Sequence, residues 1–204
     1  MSTNQHSMNP KSPPAQQKHV VIAMSGGGDS SVAAALLQEQ GYRVTGMMLK
    51  LWSEAGREDE NRCCTVDALN DARFIAGQMG IPFYALDARE VFRKEVVKSF
   101  IHGYARGITP NPCLVCNRTI RWGFLYKRIR ARGGDLLATG HYARLVRDNS
   151  RVRLLTGIDS TKDQSYVLHV LTQEHLSKTV FPLGDYNKEE VRDLARGFNL
   201  PVAS

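Results

Sequence analysis

The stretch HVVIAMSGGGDSSVAAALLQEQGY, residues 19–42, sets three consecutive glycines between an apolar, β-branched run and an alanine- and leucine-rich one. The first run, HVVIAM, is short and continuously apolar, the pattern of a strand buried on both faces of a parallel sheet. The second, from Ser30 to Gln40, favours a helix, and Gly41 is a stop signal. A strand that feeds a helix through Ser25, Gly26, Gly27, Gly28, Asp29 and Ser30 belongs to the alternating strand–helix class of folds. Glycines at such a junction let backbone N–H groups turn inward and a ligand approach closely. The helix start contributes unpaired N–H groups and the positive end of its dipole. That combination suits an anion, above all phosphate. A tight turn with nothing bound explains one glycine well; it explains three glycines flanked by serines and an aspartate poorly.

Three phosphate-binding loops compete for this stretch. The mononucleotide P-loop requires G-x-x-x-x-G-K-[ST], and no lysine follows these glycines. The dinucleotide fingerprint G-x-G-x-x-G/A finds Gly26 and Gly28 but meets Ser31 at its third position, and the next strand run ends in Lys50 where an acidic residue is expected. The third pattern, S-G-G-x-D-S, is matched at every position by residues 25–30. On these residues the chain resembles the PP-loop ATP pyrophosphatases, which split ATP into AMP and pyrophosphate while activating a carbonyl oxygen. Gly28 falls at the variable fourth position, often valine in that superfamily.

The rest of the chain alternates strand and helix patterns. A strand over 42–50 precedes the polar stretch LWSEAGREDENRCC; a helix over 65–79 ends at Gly80; the strand FYALD leads to a helix from about Glu90 to Tyr104. The proline-bearing segment GITPNPCLVC reads as a loop, followed by a helix over 117–132 and the strand DLLAT. YARLVRDNSRVRLLTG reads as a hairpin turning at Asp148–Asn149, and NKEEVRDLARGFNLPVA as a closing amphipathic helix. This order predicts an α/β fold with a doubly wound, mostly parallel sheet, whose ligands sit outside the carboxyl ends of the strands. The glycine loop lies at that end.

Residues 1–17, polar and proline-containing without periodicity, are expected to be a disordered tail, leaving 18–204 as one catalytic domain. No run approaches ~18 apolar residues and the tail has no apolar core, so a cytoplasmic chain with no membrane span is expected. Charge is unevenly placed. Between Val96 and Gly134 there is no acidic residue but eight basic ones, more than the formal net charge of +7. One basic block suits a polyanion such as nucleic acid, although a solvated helix face gives the same pattern.

Cys113 and Cys116 are spaced C-x-x-C ahead of the helix expected from 117, with Arg118 and Arg121 nearby, a setting that favours thiolate. A redox disulfide pair, a structural zinc site completed by Cys63 and Cys64, and a sulfur-transfer site all fit that spacing. Here TPNPCLVCNRTIRWGF, with GMMLKLW, CCTVDALNDAR, ATGHYAR, KDQSYVL and FPLGDYNKEEVRDLA, makes the chain resemble the tRNA-specific 2-thiouridylases, a PP-loop family that thiolates the wobble uridine of certain tRNAs.

The resemblance implies an adenine nucleotide alpha-hydrolase-like fold and assigns roles. Ala23, Met24, Ser25, Gly26, Gly27, Gly28, Asp29 and Ser30 would cradle the ATP phosphates, with Leu49 and Gly140 lining the adenine side. Asn111, Pro112 and Cys113 would meet the target base, Cys116 would be the nucleophile, and His141, Lys162, Asp163 and Gln164 would touch tRNA. Mg²⁺ would accompany ATP, anchored by Asp29. Sulfur would come from a cysteine desulfurase or a persulfide relay protein.

Two departures from the family stand out. Cys113 replaces an aspartate common among relatives, and some cysteine-bearing members are proposed to hold an iron–sulfur cluster, which would engage Cys113 and Cys116. The family's persulfide-bearing cysteine lies beyond the segment matching LPVAS, so the chain is expected to be the amino-terminal part of a longer enzyme. Another PP-loop tRNA-modifying or amide-forming enzyme, or an inactive ATP- or RNA-binding module, are the competing readings.

Overall fold

The computed structural model describes residues 17–51 and 65–201. The expected tail therefore lies outside the described residues except at Gln17, and so do Cys63 and Cys64. In chain order the strands are β1 (His19–Ala23), β2 (Arg43–Lys50), β3 (Phe83–Asp87), β4 (Leu136–Thr139), β5 (Ala143–Arg147), β6 (Val152–Thr156) and β7 (Thr179–Val180). Five of them form one sheet in the order β3-β2-β1-β4-β7, and every pairing in it is parallel. β5 and β6 form the expected hairpin apart from it, antiparallel, with Ala143 opposite Thr156. Its turn is tied by the Asp148 carboxylate, which accepts the N–H groups of Ser150 at 3.1 Å and Arg151 at 2.8 Å.

The sheet has two cores because consecutive strand side chains point to opposite faces. Val20 and Ile22 of β1 pack with Val32 and Leu37 of α1 (Gly28–Glu39), with Ile75 of α2 (Val66–Gln78) and with Val191. Val21 and Leu137 face the other way, onto Ile120, Trp122, Leu125 and Ile129. With helices on both faces, the central strands are apolar throughout: six consecutive residues of β2 are buried, Val44 to Leu49.

The remaining helices are α3 (Arg89–Phe92) and α4 (Lys98–Ala105), joined through a π-helical turn at Arg93–Val97; α5 (Pro112–Val115), a π-helical run Cys116–Leu125 and α6 (Tyr126–Ala131); then α7 (Gln173–Ser177) and α8 (Lys188–Gly197). Two boundaries correct the sequence reading. The helix expected from Ser30 begins at Gly28, and the helix expected from 117 begins at Pro112. In the second case the Asn111 side chain accepts the Cys113 N–H at 2.9 Å and Pro112 occupies the first helical position. Asn-Pro supplies both an N-cap and a residue with φ already set for a helix. Cys113 and Cys116 thus sit inside the helix and not in a loop before it.

From β1 the chain builds outward to β3 and then returns to lay β4 along the other side of β1. Crossovers diverge at that point, which opens a crevice at the carboxyl ends of β1 and β4. Among the described residues no helix is long and apolar enough to cross a membrane.

Candidate active site

The glycine loop occupies that crevice. Gly26 has φ +79°, and a Cβ there would lie 2.3 Å from the Ala68 carbonyl oxygen, so only glycine lets the loop pass under α2. The loop is tied from within: the Ser25 N–H donates to Ser30 Oγ at 3.2 Å, and the Ser30 and Ser31 hydroxyls both donate to the Gly27 carbonyl at 3.0 Å. Gly27 caps α1 without a side-chain acceptor, which leaves the first N–H groups of the helix for a ligand. On the far side, a Cβ on Gly140 would stand 3.1 Å from the Ser30 nitrogen, so a glycine there lets the end of β4 close up against the loop.

Two concavities meet here. One, about 280 Å³, is lined by Ala23, Met24, Leu49, Gly140, Cys116 and His141 among others; the second, about 260 Å³, lies between Gly27, Gly28 and the start of α8, with Lys188 and Arg192 on its wall. Ser25 and Asp29 line both. The Asp29 carboxylate divides them. Its Oδ1 accepts Lys188 Nζ at 2.5 Å and the Tyr142 hydroxyl at 3.2 Å. Lys188 is the first residue of α8, where the helix dipole disfavours a cation, and the Asp29 charge offsets that.

The thiol enters the first concavity from the opposite wall. Cys116 is buried, at 8% exposure, and opens the π-helical run, while Cys113 is exposed. Wider winding brings residues four and five apart onto one side of a π helix. Arg121 accordingly reaches both Asn117 Oδ1, at 2.9 Å, and Cys116 Sγ, at 4.0 Å. Asn117 is in turn anchored to the Val167 carbonyl at 2.8 Å. A guanidinium in this position can pair with the sulfur when it carries charge.

His141 follows β4. Its Nδ1 lies 2.6 Å from the Thr139 hydroxyl, and its ring packs between Trp122 and Phe181. Burial pushes it down to about 3, with the Arg121 charge acting in the same direction, so the imidazole is neutral near pH 7.

Of the residues singled out in the sequence, Ala23, Met24, Ser25, Asp29, Ser30, Leu49, Cys116, Gly140, His141 and Gln164 share one concavity. Gly27 and Gly28 line its neighbour. Asn111, Pro112 and Cys113 lie at the start of α5, outside both. Lys162 is exposed. Asp163 is committed to its own loop, accepting from the N–H groups of Gly157 at 3.0 Å and Ser165 at 3.2 Å. Tyr142, Lys188 and Arg192 escaped the sequence reading. The available signal was their position inside ATGHYAR and at the head of the final helix, after Asn187.

Residues 18–204 match the family described as the tRNA methyl transferase HUP domain. The chain belongs to that family. Among curated relatives, the tRNA-specific 2-thiouridylase MnmA of Carboxydothermus hydrogenoformans is 49% identical over 173 residues, covering 82% of this chain and 47% of the relative. The enzyme of the same name from Natranaerobius thermophilus is 50% identical over 175 residues, covering 82% and 48%. The chain thus spans about half the length of the curated relatives it matches. Among solved structures, NMN synthetase from Francisella tularensis superposes with a TM-score of 0.55 at 17% identity, covering 93% of this chain and 66% of that one. The likeness shows a shared fold: a mostly parallel sheet of the adenine nucleotide alpha-hydrolase kind, flanked by helices.

Proposed function

We propose that this HUP domain carries the catalytic site for ATP-dependent 2-thiolation of the wobble uridine of tRNA, as the names of its relatives suggest. One observation carries the reading: a phosphate-binding glycine loop and a buried thiol paired with an arginine line the same concavity. A reaction that activates a carbonyl oxygen with a nucleotide and then delivers sulfur needs both groups within reach of one atom.

ATP lies with its phosphates on the N–H groups from Gly26 to Ser30 and its adenine toward Leu49 and Gly140. The donor set fits magnesium, which takes one or two carboxylates and the nucleotide's own phosphates. Asp29 Oδ1 carries both protein donors, and Oδ2 accepts no hydrogen bond from a described residue. Magnesium held there would supply neutralisation of phosphate charge. The C2 oxygen of uridine attacks the α-phosphorus, and the bond to the bridging oxygen breaks as pyrophosphate departs. The terminal sulfur of a protein persulfide then adds at C2, and the C–O bond breaks with AMP leaving. The Cys116 thiolate attacks the carrier cysteine's sulfur, the S–S bond to the base breaks, and 2-thiouridine departs as a Cys116–carrier disulfide forms. Cys116 is the nucleophile of the sulfur half, with Arg121 placed to pair with its charged sulfur. Neutral His141 serves as a hydrogen-bonding wall for the base.

Asn111, Pro112, Cys113, His141, Lys162 and Gln164 make the RNA-facing rim, together with exposed Arg118, Lys127 and Arg128. Asp163 serves that rim by shaping its loop. The sulfur donor is a cysteine desulfurase or persulfide relay protein, in a cytoplasmic setting. An iron–sulfur cluster would need ligands beyond Cys113 and Cys116. Such clusters take about four thiolates; Cys113 and Cys116 provide two, and no group of three or more His, Cys, Asp or Glu is gathered for a metal among the described residues.

The chain, incubated with ATP, Mg²⁺ and tRNA lacking the thiolation, is expected to release pyrophosphate and leave AMP on the tRNA, freeing AMP once a persulfide donor is added, and to do less with tRNA already thiolated. ADP as the product, or equal turnover with both tRNAs, would overturn the reading.

A further inference from the structure

The loop from Gly157 to Ser165 has no contact with the glycine loop in sequence, yet it grips Asp29 from two sides. On one side, Gln164 and Tyr142 bind each other twice: the Gln164 N–H donates to the Tyr142 carbonyl at 2.9 Å, and the Tyr142 N–H donates to Gln164 Oε1 at 3.1 Å. The Tyr142 hydroxyl then donates to Asp29 Oδ1 at 3.2 Å. On the other side, Asp159 Oδ2 accepts the Lys188 N–H at 3.0 Å, and Lys188 Nζ donates to the same Asp29 oxygen at 2.5 Å.

The two arms close a ring: Asp29, Tyr142, Gln164, the loop, Asp159, Lys188 and back to Asp29. The loop itself is braced. Asp159 Oδ1 accepts the Thr161 N–H at 2.9 Å and its hydroxyl at 2.7 Å, and Asp163 accepts from Gly157 and Ser165. Gly157 lies so close beneath that a Cβ on it would be 3.1 Å from the Tyr142 carbonyl oxygen. Tyr142 is 3% exposed and Ala143 beside it is fully buried, so this arm has little freedom.

We infer that the 157–165 loop positions the Asp29 carboxylate for magnesium, with Tyr142 and Asp159 as positioning residues on its two arms. The inference rests on the nucleotide reading above. Two donors converging on Oδ1 fix the rotation of the carboxylate, and Oδ2 is left as the oxygen for a single metal bond. A carboxylate set in this way binds without first losing rotational freedom. Lys162 lies on the same short loop, between Asp159 and Gln164, so the segment that faces RNA is also the segment that sets the metal ligand.

The test is a magnesium titration of ATP binding, with AMP as a second ligand that reports the base pocket without needing the metal. Tyr142→Phe removes one hydrogen bond to a charged oxygen and keeps the ring; it should raise the magnesium concentration for half-maximal ATP binding roughly fivefold. Asp159→Asn, which turns one of the two accepting oxygens into an N–H donor and so cannot hold both the Thr161 and the Lys188 groups, should raise it about twofold. AMP affinity should stay at the parent's value in both. Asp159→Asn carries the test alone if Tyr142→Phe does not fold. A parent-like titration in folded variants overturns the inference and leaves the nucleotide reading standing. So does a loss of AMP affinity equal to that of ATP, which would mark the ring as general scaffolding. A parent whose ATP binding ignores magnesium overturns both.

Discussion

The nucleotide half of the site and its thiol half are built by different means. Between Ser25 and Ser30 the working groups are backbone N–H groups, and their placement is fixed by six consecutive residues and the start of α1. Around Cys116 the working groups are side chains, and their placement depends on how the helix is wound. In an α-helix, residues five apart do not share a face; in the π-helical run Arg121 reaches the Cys116 sulfur. The first half is therefore sensitive to the space available to the backbone. The second is sensitive to register and charge.

The largest effect should come from closing that space. Gly26→Ala places a methyl group where the Ala68 carbonyl lies 2.3 Å away, on a backbone with φ +79°. Strain from the left-handed backbone alone costs about 1–3 kcal/mol. The clash is with backbone, so α2 must move or the loop must refold. Urea unfolding should show the destabilisation, and ATP binding should fall below detection while the Arg121–Cys116 pair is retained. Wild-type ATP affinity in this variant would mean that the loop backbone is not what holds the nucleotide, and the contrast between the halves would collapse.

That contrast also explains what the sequence disclosed. Strand, loop and helix from His19 to Gln40 are a local pattern, so S-G-G-x-D-S could be read without a structure, and so could the strand–helix alternation that sets the sheet. Pro112 is legible too: Asn-Pro is a helix start, but two prolines close together also look like a loop, so the start expected at 117 lies five residues beyond the observed one. The winding of Cys116–Leu125 leaves no periodic signature beyond that of an amphipathic helix. Lys188 and Tyr142 meet Asp29 only because α8 packs on α1 and β4 lies beside β1, contacts separated by more than a hundred residues of chain. A single sequence carries no distance of that kind.

A smaller effect sharpens the thiol half. Arg121→Met keeps the bulk beside Cys116 and removes the charge. Alkylation of Cys116 by iodoacetamide at pH 7, followed residue by residue by mass spectrometry, should slow roughly three- to tenfold. Exposed Cys113 provides the internal control, and its rate should not change. Equal rates in parent and variant would show that the 4.0 Å contact does not activate the thiol.

The smallest effect near neutral pH concerns His141, which sits where the two halves join. Burial and the Arg121 charge lower its protonation to about 3 in the folded chain, against an ordinary value near 6.5. A histidine depressed in this way contributes nothing at pH 8, where it is neutral folded or unfolded. Below about 6.5 the unfolded chain takes up a proton that the folded chain refuses, so stability falls as pH falls, until the folded form also titrates near 3. The slope from one such group is at most about 1.4 kcal/mol per pH unit. His141→Gln, which can still accept a hydrogen bond from Thr139, should flatten the fall in urea-unfolding free energy between pH 6.5 and 4.5 by up to that amount. It should change stability little at pH 8 beyond its packing cost against Trp122 and Phe181. An unaltered slope would mean that water or a neighbouring anion reaches the ring when it is charged. The seam between the nucleotide and thiol halves would then be wet, and the two halves would be less closely joined than the shared concavity suggests.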